Sequence, residues 1–364
     1  MDRQAPGLDF AVIGHQDSWE NIQSLINVMR TEALEALPVE KIKGIYSYIP
    51  PRAVFKMHVE SPLGPSVNGV YIDSFIPPDH LDAAHLRSNI QKVREALGVA
   101  HRLGARMAIL GGFTSILLEG NFEDFSSYGM VLTTGNTLTS SYVVKGIEKA
   151  ARIHGTDLEA SEVLIIGATG DIGSACARYL KGKVRKLLLC ARNQKRLGMF
   201  AEKISTGGQE VRWSTNLDEL TPDADLIISV ASSSNIPVDR LKKSVVICDA
   251  GYPKNLEDRL DGDEAVHLFH GGMGHLTNGY VFDPDYTSDF YRYPFPHLGH
   301  GCIIEVILMA LEGISHNYSF GKGNIRPESI DEMYALSLKH GIELAPFYNS
   351  EGIWPSTKKT HRYE

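Results

Sequence analysis

The sequence is poor in cysteine and has no long apolar run. Its four cysteines among 364 residues include no C-x-x-C pair, which argues against a disulfide framework and against a zinc or redox pair. The N-terminus lacks the basic stretch and apolar run of a secretory signal. The longest apolar stretches, around 107–118 and 303–314, are too short and too interrupted to cross a bilayer. We therefore expect a cytosolic protein without stable membrane insertion.

The charge distribution excludes further classes of partner. The formal net charge is −8 and no basic stripe is present, so no nucleic-acid partner is expected. No metal site is predicted either. Hydrophobic residues make up 43% of the chain and charged residues 22%, which is typical of a soluble globular protein. A chain of 364 residues is long enough for two or three domains.

The order of predicted elements indicates an α/β protein. Residues 1–154 mix strand and helix patterns and are expected to form an α/β substrate domain. In residues 155–290, short apolar strands alternate with helices, which is the pattern of a doubly wound parallel Rossmann domain. Residues 291–364 are expected to form a helical C-terminal segment.

The best-defined motif is a glycine-rich turn. The apolar strand 162–166 runs directly into Gly167-Ala-Thr-Gly170-Asp-Ile-Gly173, and a helical pattern follows. Glycines permit a tight turn and let backbone N–H groups approach a pyrophosphate, while the helix N-terminus supplies favourable partial charge. The alternative is a tight strand–helix turn in another kind of α/β protein. The residues expected to bind the dinucleotide are Gly167, Thr169, Gly170, Asp171, Ile172, Gly173, Ala191, Arg192, Arg196, Val230, Ala231, Ser232 and Gly251.

The end of the next strand favours NADP(H) over NAD. NAD-binding domains carry an Asp or Glu about 20 residues after the glycines, where it holds the ribose hydroxyl. This chain instead has an acid-free, cationic turn, Ala191-Arg192-Asn-Gln-Lys195-Arg196. Such a turn suits the 2′-phosphate, with Arg192 and Arg196 as its contacts. Alternatively, these residues are surface charges at the start of a helix.

The cysteines differ in their surroundings. Cys176 lies among small residues in a predicted helix, and Cys190 and Cys248 close apolar strands, so these three are expected to pack in the core. Cys302 follows Gly-His300-Gly and opens a helical pattern. Backbone N–H groups and the dipole of a helix N-terminus stabilise a thiolate, so Cys302 and His300 are the candidate catalytic residues. A buried structural cysteine and an ordinary loop histidine are the alternatives.

Several segments, in order along nearly the whole chain, carry a further pattern: 69–74, 110–116, 133–137, 163–173, 191–194, 249–256, 302–313 and 316–320. Together they resemble the aldehyde-forming long-chain acyl-(acyl-carrier-protein) reductases. That family is distantly similar to shikimate dehydrogenase and glutamyl-tRNA reductase domains.

The resemblance implies a two-step reduction of an acyl thioester. The family's cysteine, which falls on Cys302, attacks the thioester of a carrier's phosphopantetheine arm, and hydride from NADPH then reduces the enzyme-bound acyl group to an aldehyde. Acyl carrier protein or acyl-CoA is the implied acyl donor, and an aldehyde-consuming enzyme is a further implied partner. Backbone donors of the 112–115 loop are expected to steady the oxyanion. The residues expected to contact the substrate are Gly112, Phe113, Thr114, Ser115 and Asn136.

The segment before the cysteine departs from the family pattern. Residues 283–301 are rich in Tyr, Pro and His. We expect bulky aromatic side chains here to shorten or reshape the acyl tunnel. The departure also leaves His297 and His300 without support from the family.

Two other functions are compatible with the sequence. One is an NADP-dependent alcohol or ketone dehydrogenase of shikimate-like type, in which Cys302 is structural. That class needs a Lys–Asp acid/base pair, for which Lys145 with Asp171 or Asp249 is the candidate. The other is an NADP-binding regulator or scaffold, for which the sequence offers no specific motif.

Overall fold

The structure is a computed structural model with two compact units. It describes residues 7–30, 35–82, 84–112, 114, 128–231, 236–251, 266–286, 293–321, 323–349 and 352–353. The first unit comprises 1–136, 276–324 and 335–343, and the second comprises 137–275, 325–334 and 344–364. These limits differ from the three predicted segments, because residues 276–324 group with the N-terminal residues. Of the predicted site residues, Phe113, Ser115 and Ser232 lie outside the described residues.

The first unit is built on a six-stranded mixed sheet. Its strands are β1 (Phe10–Gly14), β2 (Arg52–Glu60), β3 (Ser66–Asp73), β4 (Met107–Leu110), β5 (Val131–Thr133) and β13 (Val281–Asp283). The spatial order is β13-β2-β3-β1-β4-β5. Strands β3, β1, β4 and β5 are parallel, whereas β2 is antiparallel to both of its neighbours. The predicted mixed α/β character of this region is therefore confirmed.

Local sequence signals explain the helices that cover this sheet. Helix α1 (Trp19–Val28) begins where the Ser18 hydroxyl accepts a hydrogen bond from the Asn21 N–H at 3.1 Å, so Ser18 is the N-cap. Helix α2 (Val39–Tyr46) was not predicted. Helix α3 (Leu86–Arg102) has an apolar face of residues three or four positions apart that pack into the core: Val93, Ala96, Leu97 and Ala100. Full burial of a side chain such as Leu97 stabilises the fold by roughly 1.5–3 kcal/mol.

The second unit contains a six-stranded parallel sheet. Its strands are β6 (Glu162–Ile166), β7 (Lys186–Cys190), β8 (Glu210–Ser214), β9 (Leu226–Ser229), β10 (Val245–Asp249) and β11 (Val266–His270). They lie in the order β11-β10-β9-β6-β7-β8. Central strand β6 pairs with β7 on one side and with β9 on the other. The strand order therefore reverses between β6 and β9, which is where doubly wound folds bind their ligands.

The helices of this unit follow the predicted alternation. They are α4 (Asn136–His154), whose first residue belongs to the first unit, α5 (Asp171–Leu180) and α6 (Gln194–Ser205). All five residues of β6 are buried, as expected for a central parallel strand. The doubly wound Rossmann fold predicted from the alternating pattern is confirmed.

The remaining elements are mostly short. They are β12 (Met273–Leu276), β14 (Leu298–His300), α7 (Gly301–Leu311), α8 (Pro327–Lys339), β15 (Ile342–Leu344), β16 (Tyr348–Asn349) and β17 (Gly352–Ile353). Helices α7 and α8 lie within the predicted C-terminal helical segment. In the part of the chain that the structure describes, no helix has the length and apolar character needed to cross a membrane.

Candidate active site

The glycine-rich turn connects β6 to α5 at the point where the strand order reverses. Gly167 has a left-handed backbone with a φ of 88°, and its N–H and that of Ala168 donate to the Cys190 carbonyl at 2.9 and 3.0 Å. A methyl group on Gly173 would lie 2.3 Å from the Gly167 carbonyl oxygen. A side chain is therefore excluded at Gly173 and disfavoured at Gly167, so the backbone of the turn can approach a ligand closely at these positions.

The start of α5 adds the features that a pyrophosphate needs. The N-cap is Gly170, which has no side chain to cap the helix, and Asp171 begins the first turn. The first N–H groups of an α-helix have no intrahelical partner and carry partial positive charge. The turn therefore fits the pyrophosphate of a dinucleotide, which is anionic and small enough to reach these groups.

Two other predicted cofactor segments lie against this turn. A methyl group on Gly167 would lie 3.1 Å from the Ala231 nitrogen and 3.2 Å from the Val230 carbonyl carbon, so the end of β9 approaches the turn closely. The Arg196 guanidinium donates to the Thr169 carbonyl at 3.3 Å. The structure therefore brings Gly167, Thr169, Val230, Ala231 and Arg196 together around one crevice.

The other predicted cofactor residues occupy the same edge of the sheet. Arg192 is exposed and lies just after β7, next to Ala191. Buried Gly251 follows β10, and its N–H donates to the Asp249 carboxylate at 3.0 Å. Because β7 and β10 are parallel to β6, their carboxyl ends lie at the same edge as the glycine turn. This edge is the ligand-binding edge of a doubly wound sheet.

Cys302 occupies the second position of α7, in the first unit. It is partly exposed, whereas the other three cysteines are buried, as predicted for them. Its Sγ lies 3.5 Å from a methyl group placed on Gly111, and its Cα lies 2.3 Å from a methyl group placed on Gly135. Gly111 follows β4 and Gly135 follows β5. Cys302 therefore sits at the carboxyl ends of parallel strands, next to Gly111 and against Gly135, where a side chain would clash.

Burial opposes ionisation of the Cys302 thiol. Burial raises the pKa of Cys302 from its ordinary value near 9 to about 12, and the charge of Glu305 acts in the same direction. The Ile303 N–H favours the thiolate, as expected at a helix N-terminus, but its effect is smaller than that of burial. The predicted stabilisation of the thiolate by the helix N-terminus is therefore present, but burial outweighs it.

The turn after β4 is shaped by glycine and threonine. Gly112 has a left-handed backbone with a φ of 59°, and a methyl group there would lie 3.1 Å from Nε2 of His15. The Thr114 hydroxyl donates to the Gly111 carbonyl at 2.7 Å. A hydroxyl has one proton, so in this geometry Thr114 does not also donate to an oxyanion. Its side chain shapes the turn.

A buried carboxylate lies one helical turn beyond Cys302. Glu305 is fully buried, and its Oε1 accepts hydrogen bonds from the hydroxyls of Thr133 and, at 2.6 Å, Ser319. The Thr133 hydroxyl also accepts the Gly135 N–H at 3.1 Å. The network thus fixes the turn that lies against Cys302 and precedes Asn136, the first residue of α4. Sequence reasoning missed Glu305, although a single acid within the apolar run 303–311 was a visible signal.

The two histidines before α7 differ in their environments. His300 is the N-cap of α7 but makes no side-chain capping bond, and its ring lies 5.9 Å from that of Tyr293. His297 has a φ of 59° and packs against Gly279 and the ring of Tyr280. The proposed catalytic role of His300 stays a prediction.

An apolar cavity begins at the residue next to Cys302. Ile303 and Ile307 of α7 line it, together with aromatic side chains and residues of β2. Tyr293 comes from the segment that departs from the family pattern. The Tyr280 and Phe282 rings stack at 4.4 Å. The cavity walls also include Met57, Val59, Leu276, Tyr280, Phe282, Tyr293 and Leu298.

The lysine of the predicted shikimate-like acid/base pair has a different carboxylate partner in the structure. Lys145 pairs with Asp331 at 2.7 Å and also donates to the Tyr179 hydroxyl. These hydrogen bonds raise the pKa of the Lys145 ammonium despite its partial burial. The predicted pairing with Asp171 or Asp249 is therefore replaced by one with Asp331, and a lysine held as an ammonium is a poor base.

The sequence is related to known proteins over almost its whole length. It is 33% identical over 352 residues to the long-chain acyl-[acyl-carrier-protein] reductase of Synechococcus elongatus, covering 92% of this chain and 98% of that protein. The chain belongs to the long-chain acyl-[acyl-carrier-protein] reductase family. The resemblance inferred from the motifs is confirmed, and membership of this family makes the chain an oxidoreductase.

Other similarities of this acyl-[acyl-carrier-protein] reductase family member are more distant. Residues 148–270 match the shikimate / quinate 5-dehydrogenase family. Quinate dehydrogenase from Corynebacterium glutamicum is 12% identical with a TM-score of 0.39, over 91% of this chain and 99% of that one. Glutamyl-tRNA reductase from Methanopyrus kandleri is 15% identical with a TM-score of 0.30, over 88% of this chain and 76% of that one.

Proposed function

We propose that this chain reduces the acyl group of an acyl-carrier-protein or acyl-CoA thioester to an aldehyde through an acyl-enzyme at Cys302, with NADPH as cofactor. The observation that carries the proposal is the position of Cys302. It stands at a helix N-terminus against two glycines, and an apolar cavity starts at the next residue. We propose that the hydrocarbon chain of an acyl group bonded to Sγ occupies this cavity, which is lined by the neighbouring Ile303.

The chain's own residues account for the first half of the reaction. The Cys302 sulfur attacks the thioester carbonyl carbon, the bond to the carrier sulfur breaks, and the carrier leaves as a thiol. Exchange of one thioester for another is nearly balanced in energy, so positioning supplies the advantage. The dinucleotide supplies the hydride when bound.

The cavity lining suggests which acyl groups are accepted. Tyr280, Phe282 and Tyr293 place three aromatic rings in a pocket otherwise lined by aliphatic side chains and Met57. We propose that these rings limit the length of the acyl chain. Tyr293→Ala should move the preference among acyl-CoA substrates toward longer chains. Tyr48→Ala, at a side chain that is 84% exposed, should leave the preference unchanged.

Intact-mass measurement tests the acyl-enzyme directly. The protein is incubated with dodecanoyl-CoA or dodecanoyl-carrier protein without cofactor, and a mass increase of one acyl group is expected. Cys302→Ala should abolish it, and Cys248→Ala, at a buried cysteine of the other unit, should not. Labelling that persists in Cys302→Ala would refute the proposed nucleophile.

The cofactor is tested by binding. Arg192→Ala should weaken the affinity for NADPH at least tenfold more than the affinity for NADH, because an arginine–phosphate contact would be lost. Lys203→Ala, in the last turn of α6, is a matched control that removes one exposed charge from the same unit. Equal losses for NADPH and NADH in Arg192→Ala would contradict the 2′-phosphate assignment.

A further inference from the structure

A buried histidine joins two elements that line the apolar cavity. His340 follows α8 and is only 4% exposed. Its Nδ1 lies 2.8 Å from Oγ of Ser61, the residue after β2, and its Nε2 lies 2.5 Å from Oε1 of Glu312, the C-cap of α7. We call these three side chains, all in the first unit, the His340 clamp. It ties the end of β2 to the end of α7, although Ser61 and His340 are 279 positions apart.

The hydrogen bonds of the clamp have defined roles. Hydrogen bonds from Lys339 and His340 lower the pKa of the Glu312 carboxyl, so Glu312 is an anion at neutral pH and can only accept. Nε2 of His340 therefore carries a proton and donates to Glu312. A serine hydroxyl can donate or accept, so Ser61 pairs with Nδ1 whether the imidazole is neutral or charged. Glu312→Gln keeps an acceptor oxygen for Nε2, so the clamp is compatible with loss of the charge.

The clamp has the composition of a hydrolytic triad, but its serine is not placed to attack a substrate. Ser61 is 4% exposed, and its Oγ accepts the Leu63 N–H at 3.2 Å. The Ser61 N–H donates to the Pro65 carbonyl at 2.8 Å, which closes the turn 61–65. Ser61 is thus fixed inside a turn, and the clamp joins elements of the fold.

The clamp lies just beyond the cavity on both elements. On β2, Val59 lines the cavity and Ser61 lies two residues further, about 7 Å along an extended chain. On α7, Ile307 lines the cavity and Glu312 lies five residues further, about 7.5 Å along the helix axis. Cys302 is at the other end of α7. The clamp therefore marks the end of the cavity that is farther from the thiol.

A third part of the cavity wall is attached at the same point. Leu276 lines the cavity. The next residue, Thr277, donates to the Gly341 carbonyl from its N–H at 3.0 Å and from its hydroxyl at 2.8 Å. Gly341 directly follows His340. Three parts of the wall, which precede Ser61, Glu312 and Thr277 in the sequence, are therefore joined at residues 340–341.

We propose that the His340 clamp sets the depth of the acyl cavity, with His340 as the positioning residue. The inference rests on the proposed function, since it takes the cavity to hold the hydrocarbon chain of an acyl group on Cys302. Such a chain extends along β2 and α7 toward Ser61 and Glu312. Separation of the walls there would break hydrogen bonds of buried polar groups, which is costly. The clamp thereby limits the length of hydrocarbon that the cavity accepts.

Binding of primary alcohols with 8 to 16 carbons tests the depth without a reaction at Cys302. Their affinities for the full-length protein are measured by competition with a fluorescent fatty alcohol. Each methylene group that enters an apolar cavity raises the affinity about fourfold, so the wild-type affinity should rise with chain length up to a limit. In Ser61→Ala and in His340→Ala, that limit should move to chains at least two carbons longer.

Two controls separate a change of depth from a general loss of structure. The affinity for the 8-carbon alcohol should stay within twofold of wild type in both variants, because a short chain does not reach the clamp. Lys339→Ala removes the other side-chain donor to Oε1 of Glu312, at 2.6 Å, and leaves Ser61 and His340 in contact. This matched variant should keep the wild-type length limit.

Two results would overturn the inference. One is an unchanged length limit in Ser61→Ala with normal binding of the 8-carbon alcohol. This variant removes a single hydroxyl group, so it decides the question even where His340→Ala does not fold. The other is a shift of the limit in Lys339→Ala that equals the shift in His340→Ala.

Intact-mass acylation by acyl-CoAs with 8 to 16 carbons separates this inference from the proposed function. Shifted alcohol limits without acylation of Cys302 would refute the acyl-enzyme alone. Acylation of Cys302 with one common chain-length limit in wild type, Ser61→Ala and His340→Ala would refute the role of the clamp alone.

Discussion

Replacement of Glu305 by glutamine should make the Cys302 thiol more acidic. The carboxylate lies one helical turn from Cys302, and its charge raises the pKa of the thiol. Both hydroxyl donors, Thr133 and Ser319, bond to Oε1, an atom that glutamine retains as an acceptor. Glu305→Gln therefore removes the charge and leaves the hydrogen-bonded network in place.

The size of the effect follows from the helix spacing. Side chains at positions i and i+3 have Cβ atoms about 5–6 Å apart. Two unit charges about 6 Å apart interact by about 2.8 kcal/mol at an effective dielectric constant of about 20, which is about two pKa units. Because Cys302 is partly exposed, we expect Glu305→Gln to lower the pKa of the Cys302 thiol by about one to two units. Thiolate nucleophilicity falls with the pKa, with a slope of about 0.4–0.5, so alkylation below the pKa should be about three- to tenfold faster.

The assay is the rate of iodoacetamide alkylation of Cys302 at pH 8, read by intact mass. Glu312→Gln is the matched control, since it removes a carboxylate ten residues from Cys302 along the same helix, about 15 Å away. A charge at that distance is largely screened at physiological ionic strength. If Glu305→Gln and Glu312→Gln are both alkylated at the wild-type rate, the Glu305 charge does not act on the thiol.

Three further predictions concern the glycine turns and the buried carboxyl of Asp73. Gly173→Ala places a methyl group 2.3 Å from a backbone oxygen. The affinity for NADPH, measured by fluorescence titration, should therefore fall at least tenfold, whereas acylation of Cys302 should persist. Wild-type affinity for NADPH in this variant would contradict the close-fitting turn. Gly135→Ala should stop acylation because its methyl group meets Cys302, whereas Gly129→Ala, with a similar φ and open space, should not. Burial raises the pKa of Asp73 to about 6, above its ordinary value of 3.8, so its folded form binds the proton more tightly. The free energy of unfolding, measured with urea, should therefore fall by about 2–3 kcal/mol as pH rises from about 4 to about 6. Asp73→Asn should lack this decrease. An equal decrease in wild type and Asp73→Asn would assign it to other titrating groups.

The fold was predictable because its signals are contiguous in the sequence. The strand, glycine turn and helix of 162–180 lie within one short stretch, and the alternation of strands and helices after it fixes the doubly wound class. Helix α3 begins at Leu86, after a short 3-10 helix of residues 78–80 that follows Pro77. Helix α2 was missed: it has only eight residues, and Pro38 at its N-cap makes no side-chain capping bond.

The candidate site was predictable only in part. Cys302 could be singled out because a helix start is visible in the sequence next to it. The role of Glu305 depends on contacts with Thr133 and Ser319, and Thr133 is distant in sequence. No local pattern encodes such a contact, although an acid in an apolar helix was an available signal.

The direction of the thiol pKa shows how two physical effects compete at one residue. A helix N-terminus typically stabilises an adjacent negative charge by about 0.3–1 kcal/mol. Burial raises the pKa of the Cys302 thiol to about 12 although the Ile303 N–H acts in the opposite direction, so desolvation outweighs the helix. The proposed acylation of Cys302 therefore requires that the thiol lose its proton as the sulfur attacks the thioester.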